Sequence, residues 1–179
     1  MPGYVVLIRG INVGGNKKLV MAQFREVLTG LGLTDVATVL NSGNAVCTGA
    51  EQPTAELERT IAAAVQAQLG LRASCLVRTA TQLRGVLEHN PLLEVATNGS
   101  RLMVLFLSAR PAPDAAAEHD PVALDPGRVA VGDRVVYQWC PDGVLAAPDV
   151  ATFLMRHWAV AVTGRNWNTV SKLGALLGG

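Results

Sequence analysis

Three short stretches of the chain concentrate side chains that can hold a ligand. The first, Gly10-Ile11-Asn12-Val13-Gly14-Gly15-Asn16-Lys17-Lys18, follows an apolar run that ends at Arg9 and precedes a helical stripe, the setting in which anion-cradling loops occur. Gly10 and Gly15 have the spacing of a phosphate loop, but Asn16 stands where its lysine belongs and no serine or threonine follows Lys17 to bind magnesium. Nucleotide hydrolysis is therefore rejected. A loop of backbone N–H groups, two asparagines and two lysines remains, able to take phosphate or carboxylate. The second stretch is Asn41-Ser42-Gly43-Asn44, and the third is Arg165-Asn166-Trp167-Asn168, which offers a planar guanidinium fork and an indole face. The candidate ligand-binding residues are thus Arg9, Asn12, Gly14, Gly15, Asn16, Lys17, Asn41, Ser42, Asn44, Arg165, Asn166, Trp167 and Asn168.

These residues suit binding better than proton transfer. Amides orient a ligand but carry no proton at neutral pH, so general acid–base chemistry lacks its usual groups. His89, His119 and His157 are too scattered for local metal spacing, and neither a metal nor another cofactor is expected. Ser42 becomes a nucleophile only with a base brought from elsewhere; its plainer use is in a turn. The leading expectation is a binding protein for a phosphorylated small molecule or a nucleic acid. One alternative is an enzyme whose Arg165 and Lys17 stabilise an oxyanion or a phosphoryl group. Another is a protein-interaction module.

Charge placement favours the first reading. The 179 residues hold 15 basic and 14 acidic side chains. Arg9, Lys17, Lys18 and Arg25 fall within residues 1–25, and Arg156, Arg165 and Lys172 within 150–179, with no acid in either segment. If the two ends meet, a basic patch results on a nearly neutral protein. The apolar run Tyr4–Ile8 is too short for a signal segment or a membrane span. Cys47, Cys75 and Cys140 show no C-x-x-C spacing and are odd in number, which fits reduced thiols and a cytoplasmic location.

The elements that must position these stretches follow from periodicity. Residues 4–9 read as a central strand buried on both faces. Phe24, Val27, Leu28 and Leu31 form a helical stripe that Gly32 stops. Val36–Leu40 and Ala45–Thr48 flank the Asn-Ser-Gly-Asn tetrad as a hairpin. Pro53 opens a helix carrying Leu57, Ile61, Ala64 and Val65 that ends at Gly70, and Ser74–Val77 reads as a strand. Thr79 and Gln82 form a capping box for a connecting helix. The order then repeats: strand Leu102–Leu107, a weak helix near 114–118, and a hairpin over Val129–Val131 and Arg134–Trp139 turning at Gly132-Asp133. A helix from Asp149, a short strand Ala161–Thr163 and a last helix capped by Asn168 complete it. The expected fold is α+β, with two ferredoxin-like βαββαβ subdomains in tandem, 1–78 and 99–179, joined by a helix and loop over 79–98. RNA recognition through sheet aromatics is disfavoured in the first half, where Ala45–Thr48 carries none.

The stretches Arg9-Gly10-Ile11-Asn12-Val13-Gly14-Gly15, Asn41-Ser42-Gly43-Asn44 and Arg165-Asn166-Trp167-Asn168-Thr169-Val170 resemble the motifs of the bacterial domain of unknown function 1697 family. That resemblance implies two ferredoxin-like subdomains and supplies no activity. Asn41 stands where glutamine is more usual in the family pattern.

Overall fold

The computed structural model describes residues 1–9, 18–41 and 43–178. It is an α+β protein with two four-stranded antiparallel sheets. The chain divides into two compact units, one of Met1–Arg84 with Lys172–Gly179 and one of Gly85–Ser171.

In the first unit, β1 (Gly3–Arg9), α1 (Met21–Gly30), β2 (Thr34–Val39), β3 (Asn44–Thr48), α2 (Thr54–Leu69) and β4 (Ser74–Thr79) follow in order. The sheet runs β2-β3-β1-β4. Tyr4, Val6 and Ile8 of β1 pack with Ala45, Cys47, Cys75 and Val77 against Phe24, Val27 and Leu28 of α1 and Leu57, Ile61 and Val65 of α2. Val5 and Leu7 are buried as well, so β1 is dry on both faces, as its unbroken apolar run requires. Gly32 and Gly70 follow α1 and α2 at φ 84 and 65 degrees, left-handed positions that a side chain would resist.

α3 (Ala80–Glu88) leads to β5 (Leu102–Leu107), α4 (Pro113–Glu118), β6 (Val129–Gly132), β7 (Val135–Trp139), α5 (Val150–His157), β8 (Val162–Asn166) and α6 (Trp167–Gly178). The second sheet runs β6-β7-β5-β8. Leu105, Leu107, Val136 and Val162 meet Val150, Leu154 and Trp158 in its core, to which α4 adds only the partly buried Ala115 and Ala116.

Three local expectations are corrected. The last strand is Val162–Asn166, so Arg165 and Asn166 are strand residues and not part of a loop. The cap of α6 is Asn166, whose Oδ1 accepts from Thr169 N at 2.9 Å, and not Asn168. The second hairpin turns at Asp133-Arg134, one residue later than expected, because Gly132 still pairs with Val135; Arg134 takes the positive φ of 54 degrees.

β4 is an edge strand, and its Val77 N–H, which has no strand neighbour, is answered by Glu58 Oε1 of α2 at 2.9 Å. The same oxygen lies 3.9 Å from Nη1 of Arg78, which is 3% exposed. Glu58→Ala removes both interactions and should cost about 2 kcal/mol, the scale of a buried donor left unanswered. Glu58→Gln keeps an acceptor for Val77 and should lose markedly less in urea denaturation. Equal losses for the two would show that the edge bond contributes nothing.

Candidate functional site

The first unit brings Arg9, at the end of β1, beside the described residues of the second candidate stretch. Arg9 is the last residue of β1, half-buried and opposite Ser74 of β4. On the other side of β1, Leu7 pairs with Asn44, so the β2–β3 turn arrives where β1 ends. A hydrogen bond from Ile8 N to Gly43 O at 2.8 Å ties the two. Asn44 is fully buried and its Nδ2 donates to Val39 O at 3.0 Å, closing the hairpin from within. Asn41 is exposed at the same end of the sheet. Gly10, Asn12, Gly14, Gly15, Asn16, Lys17 and Ser42 lie outside the described residues.

The second unit holds the third stretch. Arg165 pairs with Val104 of β5 and is half-buried; its Nη1 donates to Gly164 O at 2.9 Å. Burial lowers the pKa of its guanidinium from the usual arginine value, since the charge is partly desolvated. Trp167, the first residue of α6, donates its backbone N–H to Gly99 O at 3.1 Å. The carboxamide of Asn168 sits so close to Gly99 that any side chain there would collide with it. Gly99, Asn166, Trp167 and Asn168 therefore form one knot at the entrance to α6.

Several polar residues escaped the sequence reading. Arg78 is buried although an ordinary apolar run precedes it, and Gln138 is buried in β7 with Nε2 donating to Pro148 O at 2.8 Å. Nδ2 of Asn90 and Oγ1 of Thr163 are buried without a hydrogen-bond partner among the described residues. His119 stacks on His157 with ring centroids 4.3 Å apart. The alternation of β7 could have flagged Gln138, which occupies an inward position between Val136 and Cys140; nothing local marks the histidine pair.

The three cysteines are buried thiols. Burial pushes Cys47 up to about 11 and, with the nearby Glu58 charge, Cys75 up to about 12. Tyr137, whose hydroxyl donates to Val86 O at 2.8 Å, is likewise raised to about 12 by burial.

Two expectations follow. All three thiols should resist a thiol reagent at about pH 8 in the native protein and react together on unfolding; rapid native labelling of one would contradict their burial. The folded thiols stay protonated while the unfolded chain loses its protons above 9.0, so stability should fall as pH rises from there toward 11 and 12. Asn166→Ala should cost about 1 kcal/mol through loss of the α6 cap, and Asn168→Ala, which removes no cap bond, distinctly less, as read from urea midpoints.

A family model described as "Protein of unknown function (DUF1697)" matches residues 1–137. Among curated proteins none matches. A solved structure of a conserved bacterial protein from Streptococcus pneumoniae is similar over 98% of this chain and 98% of its own, with a TM-score of 0.69 and 24% sequence identity, a likeness of fold alone.

Proposed function

The chain belongs to this family of unknown function, and from that premise we propose that it binds an anionic ligand, a phosphorylated small molecule or a nucleic acid, where β1 ends beside the β2–β3 turn. The observation that carries this reading is the hydrogen bond from Ile8 N to Gly43 O. It puts Arg9, the point where the Gly/Asn-rich stretch begins, next to the turn that bears exposed Asn41. Residues 1–25 hold four basic side chains and no acid, a charge balance that suits a negative partner. Asn44, with its Nδ2 spent on Val39, supports the turn, and Asn41 is exposed beside it.

The third stretch carries less of the reading. Arg165 bonds to its own strand and Asn166 caps its own helix, which are structural uses of both side chains. The enzymatic reading gains no support from the thiols, since Cys47, Cys75 and Cys140 are all raised by burial.

We read each half as a ferredoxin-like repeat, 1–78 and 99–179, joined over 79–98. The strand orders β2-β3-β1-β4 and β6-β7-β5-β8, with a helix after the first and third strand of each, support it. A cytoplasmic location goes with the reduced thiols. Among the described residues no helix is long and apolar enough to cross a membrane.

The test is a thermal-shift screen against nucleotides, sugar phosphates, short RNA and short DNA, on the wild-type chain and on Arg9→Ala and Asn41→Ala. A ligand at about a hundred times its Kd should add about 2.7 kcal/mol of stability. That gain should vanish in Arg9→Ala and shrink in Asn41→Ala. Steep weakening with salt would identify nucleic acid, and shallow weakening a small phosphate. No shift from any of the four ligand classes would sink the proposal.

A further inference from the structure

The second unit contains a cavity of roughly 270 Å³ that the reading above does not use. Its floor is the helix-covered face of the second sheet, at Met103, Leu105 and Gln138; the segment 144–151 supplies its walls through Val144, Leu145, Ala147, Pro148 and Ala151. Sheet register explains the floor, because Met103 pairs with Gln138 and both face the side on which α5 packs. The lining is apolar but for Gln138 and Asp149. Asp149 is already committed, its two oxygens accepting from Thr152 N at 3.0 Å and Thr152 Oγ1 at 2.8 Å.

Gln138 is different. It is 4% exposed, and its Nε2 donates to the Pro148 carbonyl. A carbonyl only accepts, so the amide must turn its NH2 toward Pro148, which fixes the position of its oxygen. That Oε1 accepts no hydrogen bond among the described residues. That oxygen is not among the buried unpartnered atoms of the described residues, so at the cavity floor it stays open to a donor from outside the chain. At the mouth, Leu145 is fully exposed, 103% of its reference area, and Val144 about half exposed, so an apolar rim surrounds an apolar cavity.

We propose that this cavity binds a small neutral molecule with an apolar body and a single hydrogen-bond donor, a hydroxyl or an N–H, which it gives to Gln138 Oε1. The volume admits a body of roughly eight to ten non-hydrogen atoms, taking about 30 Å³ as the share of one water. Charged ligands are disfavoured here, because the one carboxylate is spent on its cap and the lining has no base. This site is separate in its residues from the anion site and does not depend on it.

The probes are benzyl alcohol and toluene, alike in shape and differing in one hydroxyl, titrated into the full-length protein and followed by amide and methyl chemical shifts. Both should perturb Met103, Gln138, Ala147 and Ala151, with benzyl alcohol binding about fivefold tighter, the worth of one hydrogen bond. Gln138→Leu should abolish that preference. Should this variant fail to fold for want of a donor to Pro148, Ala151→Phe, which fills the cavity and keeps Gln138, decides the matter by losing both probes. Perturbations absent from these four residues, an alcohol preference that survives in Gln138→Leu, or undiminished binding in Ala151→Phe would each overturn the proposal.

Discussion

Much of this architecture depends on one constraint, that β1 be dry on both faces and paired along both edges. A strand so placed has little room for polar groups within its length, and Tyr4–Ile8 holds one alone, the Tyr4 hydroxyl, which donates to Ala50 O at 3.0 Å. Polarity is therefore pushed to the strand's end, where Arg9 sits, and to the outer strands. Pairing with β3 also fixes where the β2–β3 turn must stand: with Leu7 opposite Asn44, the turn can only close beside the end of β1. The placing of Arg9 beside the β2–β3 turn is thus a consequence of register.

β5 imposes the same constraint on the second unit, and the answer at the edge is the same. Val5 stands opposite Arg78 on β4, and Val104 opposite Arg165 on β8. Each guanidinium donates Nη1 to the carbonyl of the residue before it, Val77 O at 3.0 Å and Gly164 O at 2.9 Å. Each strand then runs straight into a capped helix. Thr79 exchanges bonds with Gln82 at 2.9 and 3.1 Å, while Asn166 makes a one-way bond to Thr169. An arginine followed by a cap is a feature shared by both halves, kept where the surrounding sequences differ. Burying a guanidinium is costly, and the lowered pKa of Arg165 is the electrostatic trace of that cost.

Most of the element order was legible because it rests on apolar periodicity and on glycines at left-handed positions, as at Gly32 and Gly70. The misreadings have physical causes. Gly164-Arg165-Asn166 looks like a loop by composition, but an edge strand tolerates polar residues that a central one does not. Gly132 suggested a turn, yet its lack of a side chain serves close approach, since a Cβ there would meet Val135 Cγ1 at 2.8 Å. Among the candidate ligand residues, sequence alone could not separate side chains that serve the fold, such as Asn44 and Asn166, from those left outward, such as Asn41. That distinction depends on partners far along the chain.

The unequal cover of the two sheets shows how punctuation in the sequence becomes a cavity. Over the first sheet lie helices of 10 and 16 residues, which supply Phe24, Val27, Leu28, Leu57, Ile61 and Val65 to its core. Over the second lie helices of 6 and 8. Pro111, Pro113 and Pro121 bracket α4 within a segment where a longer helix would have to absorb a missing N–H and a ring clash. α4 stays short and packs only the partly buried Ala115 and Ala116 on the core, and the Met103–Gln138 corner of the sheet is lined by an irregular segment around a 3-10 turn at Val144–Ala146. Irregular backbone packs a β face less completely than a helix does, and space remains beside Gln138, whose Nε2 the chain takes up at Pro148 O while its Oε1 is left open to the cavity.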